Sequence, residues 1–566
     1  MENKKIQKGN QCYMIKKDRE RFINKILRSP STKKIVVGGP GTGKTFLFKE
    51  VLKSKKTTLT LTFVNPLVDD LSLKLYGISS VKTLHSFAQK EFGRLLKDKI
   101  KIKIFPKLPE VIKEDAKILL KEDIEFKKLF NNEEDDSKYI DFYKRRKDYY
   151  KPYYGYSDVI YGIVKMYKEY KDKVPNTIPQ YSQIIIDEFQ DFNKLEVSLI
   201  DLLSEKSPIL LAGDDDQALY EDLKDASPKY IRQRYYNRDF GYEPFTLPYC
   251  SRCTSVIVGA INDIIDSAMK KGFLKDRIKK TFLYFEDTDK NITCNQNPHI
   301  IHCQKYHNAI PSYIQKQIDN ITKEKQKKFS VLIISPIKKQ ARMISRKLKE
   351  SGFKNIEFVE KEEDKATTLE GLKILMKDKV NNLGWRIVSR YILSDEEFNN
   401  LIKKSNEKNA KQIKDMVDSR CKKEIEDLLV ISKAVKNGKK VEQEEIEDLF
   451  KKIKKDKDLY DLVKDLLEDD IDYSKKNRVD RSIRKIPIDI TTIHGSKGLS
   501  KDYVFITHFD DEYFIKDKCK NKIRDQEICN FIVSLARAKI KVFLISSKDR
   551  KPTFLKWIKE NRIEEN

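Results

Sequence analysis

No apolar run in this sequence approaches the roughly 20 residues needed to cross a bilayer. No apolar core follows the basic N-terminus, so nothing resembles a secretory leader. These absences predict a soluble, cytoplasmic protein without a membrane partner. Cysteine is scarce as well: eight in 566 residues do not make a disulfide scaffold. Cys250 and Cys253 have CxxC spacing, and Cys294 and Cys303 could complete a zinc site only without a second CxxC. There is no internal repeat.

What the chain has in excess is positive charge. Charged residues make up 36% of it, with a formal net charge of +27. Such an excess suits a polyanionic partner, most simply nucleic acid.

The pattern of apolar runs divides the chain. Residues 33–39, KKIVVGG, read as a buried strand that breaks at glycines. KTFLFKEVLKS then reads as a helix and TTLTLTFVN, 57–65, as a second strand. This is the opening of a parallel α/β sheet. Residues 89–180 are rich in Lys, Glu and Tyr and read as helices. Strands return at QIIIDEF and SPILLAGDD, and again at HIIHC, FSVLIISP and NIEFVE. Residues 356–485 are charged and helical, and strands resume at PIDITTIH, DYVFITHF and KVFLISS. The expected fold class is α/β, with two parallel-sheet cores each interrupted by a mainly helical insertion.

GGPGTGKT, from Gly38 to Thr45, fits the phosphate-binding pattern G-x-x-x-x-G-K-[ST] in full. Gly38, Gly39, Pro40, Gly41, Thr42 and Gly43 would curl backbone N–H groups around phosphates. Lys44 would place a charge at the β/γ-phosphates and Thr45 a hydroxyl on Mg2+, at a helix N-terminus that favours anions. Such a loop needs an acid for the metal and a base for water. SQIIIDEFQDFN, from Ser182 to Asn193, supplies both at the end of a buried strand: Asp187 for Mg2+ and Glu188 for the attacking water.

With these motifs in order, the sequence resembles superfamily 1 DNA helicases of the UvrD/Rep/PcrA type. IIIDEFQD matches that family's DExQD form, in which Gln190 and Asp191 couple the nucleotide to the DNA track. LTFVNPLVDDL resembles TFTNKAA, with Phe63 and Asn65 retained. TLHSFA resembles TxHxF, with Thr83 and His85 in the positions that touch the DNA backbone. AGDDDQALY resembles GDxDQSIY. The resemblance makes Gln217 a γ-phosphate sensor and Tyr220 a base-stacking residue. LPYCSRCTSVI places Arg252, and EICNFIVSLARAK places Arg537, as arginine fingers, with Glu527 a supporting acid. TTIHGSKGLSKDYVF brings Thr492 and His494 to DNA and Gly498 to the nucleotide.

The resemblance implies two RecA-like P-loop cores. Core 1A would comprise residues 1–88 and 181–246, and core 2A residues 247–355 and 486–566. The insertions would be 89–180 (1B) and 356–485 (2B). It implies ATP and Mg2+ as cofactors and single-stranded and junction DNA as partner, with 3′-to-5′ movement. The sequence also departs from the family. Ser251 stands where a tyrosine stacks on adenine, Ser500 replaces the glutamate of KGLE, and Ala536 replaces the threonine of LTRAK. YEDLKDA replaces YGWRGA, and no Gln lies between Met14 and Thr32. The 29 residues after Arg537 leave little room for a fused nuclease, so any cleavage would fall to a separate nuclease or other DNA-processing protein. The alternative expectation is a DNA-sensing ATPase subunit that regulates such a partner, in DNA repair or phage defence.

Overall fold

The computed structural model describes residues 18–63, 65–96, 102–134, 136–221, 225–285, 300–324, 328–353, 355–359, 365–407, 410–436, 486–515, 523–547 and 551–566. The chain forms two compact units. One comprises 1–87, 174–361 and 478–566, and the other 88–173 and 362–477.

Among the described residues the first unit holds two large parallel sheets and a two-stranded parallel one, Tyr249–Cys250 with Leu283–Tyr284. Strands β1 (Lys33–Gly38), β2 (Thr58–Thr62), β3 (Ser80–Thr83), β4 (Gln183–Ile186), β5 (Ile209–Gly213) and β6 (Glu243–Leu247) lie in the order β3-β2-β4-β5-β1-β6. Every pairing is parallel. Ile184, Ile185 and Ile186 are each 0% exposed, because helices and loops cover both faces of such a sheet. The parallel arrangement brings the C-terminal ends of β1, β4 and β5 to one edge, where α/β sheets bind ligands.

The second sheet has seven strands: β7 (Ile300–Gln304), β8 (Val331–Ile334), β9 (Ile356–Val359), β10 (Ile488–Thr491), β11 (Lys501–Ile506), β12 (Ala538–Ser546) and β13 (Ile563–Glu565). Their order is β9-β10-β8-β11-β12-β7-β13, again all parallel. The helix Ser255–Lys270 buries Ile257, Ile261 and Ile264 in the core that Leu332, Val504 and Val542 also enter. The α/β expectation of two parallel sheets therefore holds.

Some local readings differ. The strand expected over 57–65 ends at Thr62, and Asn65 opens the helix Asn65–Lys74. Pro66 explains this: its fixed φ suits a first helical turn and its missing N–H costs nothing there. Strands β3, β6 and β13 carry no clear apolar run. β6 contains Pro244 and β13 is IEE, compositions that fit sheet edges, where both lie.

The second unit is mainly helical, including Leu108–Leu119, Ser137–Tyr149, Tyr156–Tyr170, Thr368–Lys377, Asn382–Ile392 and Asp395–Lys404. Both insertions contribute to it. Asp115 is 0% exposed and sits between Arg146 Nη2 at 2.7 Å and Arg386 Nη2 at 2.9 Å. Arg386 also reaches Glu114 at 2.7 Å, and Arg146 Nη1 donates to the Ser405 carbonyl at 3.1 Å. Burial alone would raise the Asp115 pKa, and the two guanidinium groups instead hold it below the usual carboxylate range. Breaking such a buried pair on one side typically costs about 3–5 kcal/mol. Residues 437–485, with the charged stretch expected to be helical, lie outside the described residues.

Candidate active site

β1 ends at Gly38, and the turn that follows is built on left-handed backbone at Gly41 (φ 70°) and Gly43 (φ 91°). Glycine is needed there because a Cβ disfavours that region. Close approach adds to the requirement: a Cβ on Gly41 would meet the Arg252 Cβ at 2.4 Å. The loop is tied internally by Thr42 Oγ1 donating to the Gly39 carbonyl at 2.9 Å. Lys44 and Thr45 open the helix Lys44–Leu52, and Lys44 Nζ donates to the Gly38 carbonyl at 3.0 Å. Pro40 completes the turn, and a Cβ on Gly39 would collide with the Phe282 ring at 2.6 Å.

Asp187 follows β4 and is 6% exposed. Its Oδ1 has no hydrogen-bond partner among the described residues. Burial and the adjacent Glu188 raise its pKa, with Lys44 opposing them. A buried carboxylate oxygen without a hydrogen-bond partner, with Lys44 near it, fits a ligand for Mg2+, and Thr45 in the first turn of the helix Lys44–Leu52 has a hydroxyl of the right chemistry for a second.

Glu188 has left-handed backbone at φ 55°, a conformation rare outside glycine and concentrated at functional sites. Gln190, fully buried, donates to Glu188 Oε2 at 2.7 Å and accepts from the Asp214 N–H at 2.9 Å. It therefore links the ends of β4 and β5. Burial works against ionisation of Glu188, but Lys497 and Lys44 overcome it and lower its pKa.

The second sheet contributes the remaining groups. Lys497 is 4% exposed, forms an ion pair with Asp191, donates to the Gln217 carbonyl at 2.8 Å and lies 3.8 Å from Glu188. Arg537 is held by the Val533 carbonyl at 3.0 Å and the Leu499 carbonyl at 3.2 Å, which leaves Nη2 donating to Gln217 Oε1 at 3.1 Å. Burial and the neighbouring Arg252 push the Arg537 pKa down to about 10. Arg252 adjoins the glycine loop through Ser251, whose N–H donates to the Gly41 carbonyl at 3.0 Å. Lys44, Arg252, Arg537 and Lys497 thus converge near Asp187, Glu188 and Asp191. Gly498 follows Lys497 at φ 86°.

The residues expected at DNA are less uniform. Thr492 and His494 line a pocket of about 60 Å3 with Pro336, Tyr513 and Asn530. Thr83 is 7% exposed and accepts from the Ser86 N–H at 3.0 Å, capping the next helix. His85 lies 3.3 Å from Glu196. Phe63 and Tyr220 are 3% and 5% exposed, with ring centroids 4.9 Å apart. Tyr220 also donates to the His494 carbonyl at 3.2 Å. Its ring is packed between the two cores, so the structure does not offer it as an open stacking face. The Asn65 side chain and residues 222–224 lie outside the described residues, as does Cys294. Cys250 and Cys253 are both buried.

Lys497 has no role assigned to it by the sequence motifs. The signal was a single lysine in GSKGLS, beside a strand rich in isoleucine, and only the fold shows its acidic partners. The same holds for Lys280 and Arg277, which meet Asp214, Asp215 and Asp216.

Residues 23–222 match an AAA domain family, and residues 388–549 match the UvrD-like helicase C-terminal domain. A segment of 116 residues is 30% identical to DNA helicase II of Haemophilus influenzae, spanning 20% of this chain and 15% of that protein. Over 89 residues the chain is 35% identical to DNA helicase II of Escherichia coli, spanning 16% of this chain and 12% of that one. Over 137 residues it is 28% identical to the exonuclease/helicase subunit RexA of Lactococcus lactis, spanning 23% and 11%. The matched segments are thus a small part of each relative. No helix among the described residues is long and apolar enough to cross a membrane.

Proposed function

We propose that this chain, which belongs to the UvrD-like superfamily 1 helicases, is an ATP-dependent DNA helicase or translocase that moves 3′ to 5′ along single-stranded DNA. The observation that carries this reading is the bond from Arg537 of the second core to Gln217 of the first, beside Glu188 and Lys497. Groups suited to hydrolysis come from both cores, so nucleotide in the cleft would set the spacing between them.

Lys44 and the glycine-loop N–H groups bind the phosphates in this reading. Thr45 and Asp187 would hold Mg2+, which would supply positive charge to offset that of the phosphates. Glu188 takes the proton of the attacking water. Gln217, Arg252 and Arg537 meet the γ-phosphate and gain or lose a partner with it. The cores then grip one strand unequally through the cycle, with Thr492 and His494 on the second core and Thr83 and His85 on the first. The subdomain limits proposed for this machine are 1–88 with 181–246, 89–180, 247–355 with 486–566, and 356–485.

A second reading has its own support. Relatives include an exonuclease/helicase subunit, and Tyr220 is packed away from any base. The chain would then be a DNA-sensing ATPase subunit beside a nuclease in repair or phage defence. A fork-unwinding assay with 3′- and 5′-tailed substrates separates the two. ATP-dependent unwinding of the 3′-tailed fork supports the helicase, and DNA-stimulated hydrolysis without strand separation supports the subunit.

A further inference from the structure

Asp214, Asp215 and Asp216 are buried and bring three carboxylate oxygens within 4.8 Å of one another. Such a cluster, at the end of a strand, is the donor set of a divalent-cation site. Here the place is taken from within the chain. Lys280 Nζ reaches Asp214 Oδ1 at 2.8 Å, Asp215 Oδ1 at 2.7 Å and Asp216 Oδ2 at 2.7 Å. An ammonium has three N–H donors, and three acceptors satisfy it.

The remaining oxygens are also occupied. Arg277 forks onto Asp216 through Nε at 3.0 Å and Nη2 at 2.7 Å. Asp215 Oδ2 accepts from Arg232 Nε at 3.0 Å and from the Ile278 N–H at 2.8 Å. Three acids therefore face three cations, and a metal ion would be surplus. Arg277, Ile278 and Lys280 lie on the segment that follows the helix Ser255–Lys270 and leads into Phe282 of the second core. The acids lie at the end of β5 in the first.

The consequence for the site runs through Asp214. Its Oδ2 accepts from Gln217 Nε2 at 2.6 Å. That bond fixes which way the amide faces and turns Oε1 toward Arg537 Nη2 at 3.1 Å. An amide has one acceptor end, so its orientation decides whether Arg537 finds a partner or a repelling N–H. We propose that Lys280 is a positioning residue for nucleotide hydrolysis: from the second core it holds Asp214, which sets the face that Gln217 turns to Arg537. This rests on reading the cleft as an ATPase.

The test uses the full chain and steady-state ATP hydrolysis with single-stranded DNA. Lys280→Met is expected to lower kcat at least 10-fold while KM for ATP stays within twofold, and Lys280→Arg to recover part of the loss. In Lys280→Ala, added methylammonium is expected to restore activity at least threefold, because it refills the same cradle. Without Lys280 the three acids face only Arg277 and Arg232, and the excess negative charge opposes folding, so Lys280→Met is also made with Asp215→Asn. That leaves two acids against two cations, with Arg277 still paired to Asp216. A folded double variant with kcat within twofold of Asp215→Asn alone would overturn the proposal. So would a loss of rate matched by an equal loss of ATP binding and untouched by methylammonium. If the unaltered protein hydrolyses no ATP, the ATPase reading fails instead, and that result is separate from these.

Discussion

Arg537 Nη2 donates to Gln217 Oε1 at 3.1 Å across the two sheets, and Gln217 Nε2 donates to Asp214 Oδ2 at 2.6 Å. The two side chains act as one unit. Arg537→Ala and Gln217→Ala are each expected to lower kcat for ATP hydrolysis by roughly 10²-fold, the usual cost of removing one preorganised donor. The double variant should fall little further, since both changes delete one interaction. Multiplicative losses in a steady-state ATPase assay would show that the residues act independently.

Lys44 opens the helix at the glycine loop, and its Nζ donates to the Gly38 carbonyl at 3.0 Å. Lys44→Ala should abolish hydrolysis and leave DNA binding in place. That binding should weaken steeply with salt, because neutralised phosphates release counterions. Fluorescence anisotropy with a labelled single strand at about 50 and about 200 mM salt checks both points. Hydrolysis at the unaltered rate would mean that the glycine loop is not the phosphate site.

Lys497 is the first of the groups that lower the Glu188 pKa against the effect of burial. Glu188 is the proposed base and must be ionised. Replacing the lysine raises the Glu188 pKa, so the acid limb of the pH–rate profile should move to higher pH. Lys497→Met is therefore expected to lose more activity at pH 6 than at pH 8.5, relative to the unaltered protein. An unshifted acid limb would remove Lys497 from control of the base.

Much of this site was legible because backbone chemistry demands particular residues. The glycine loop, Asp187 at the end of an isoleucine run and Gln190 two residues after Glu188 are local patterns. The two parallel sheets were legible for a related reason: strands buried on both faces read as continuous apolar runs. What could not be read was pairing over distance. Nothing local in KKTF says that Lys280 meets three aspartates, or in RRKD that Arg146 meets Asp115. The edge strands β6 and β13 were missed because edges tolerate proline and charge. Tyr220 was expected at a base and is packed against Phe63 because motif order does not report burial.

Burial also raises the Asp187 pKa, and this has a consequence for the metal. Protons and Mg2+ compete for the same carboxylate. The Mg2+ concentration that gives half-maximal ATPase rate should therefore rise as pH falls from 8.5 to 6. Raising Mg2+ should move the acid limb to lower pH. Asp187→Asn removes the competition along with most activity. A Mg2+ requirement independent of pH across that range would place the metal elsewhere.

The second unit carries a buried acid of its own. Asp158, in the first turn of the helix Tyr156–Tyr170, is 6% exposed, with Lys147 Nζ 3.7 Å away. Burial pushes its pKa up to about 7, with Lys147 opposing. A carboxyl with a raised folded-state pKa keeps its proton when the unfolded chain has lost it. Stability is therefore fully present below the ordinary aspartate pKa, falls as pH rises toward about 7, and is level above that. The loss across this window is a few kcal/mol, because each tenfold change in proton affinity is worth about 1.4 kcal/mol. Asp158→Asn removes the charge with little change of shape, and Lys147, 17% exposed, can turn to solvent. Hydrogen exchange of peptides from Tyr156–Tyr170 should thus be slower in the variant than in the unaltered protein at pH 8. The difference should shrink as pH falls toward 5. Faster exchange in the variant at pH 8 would mean that the ionised Asp158 is held favourably by Lys147 and the first-turn N–H groups.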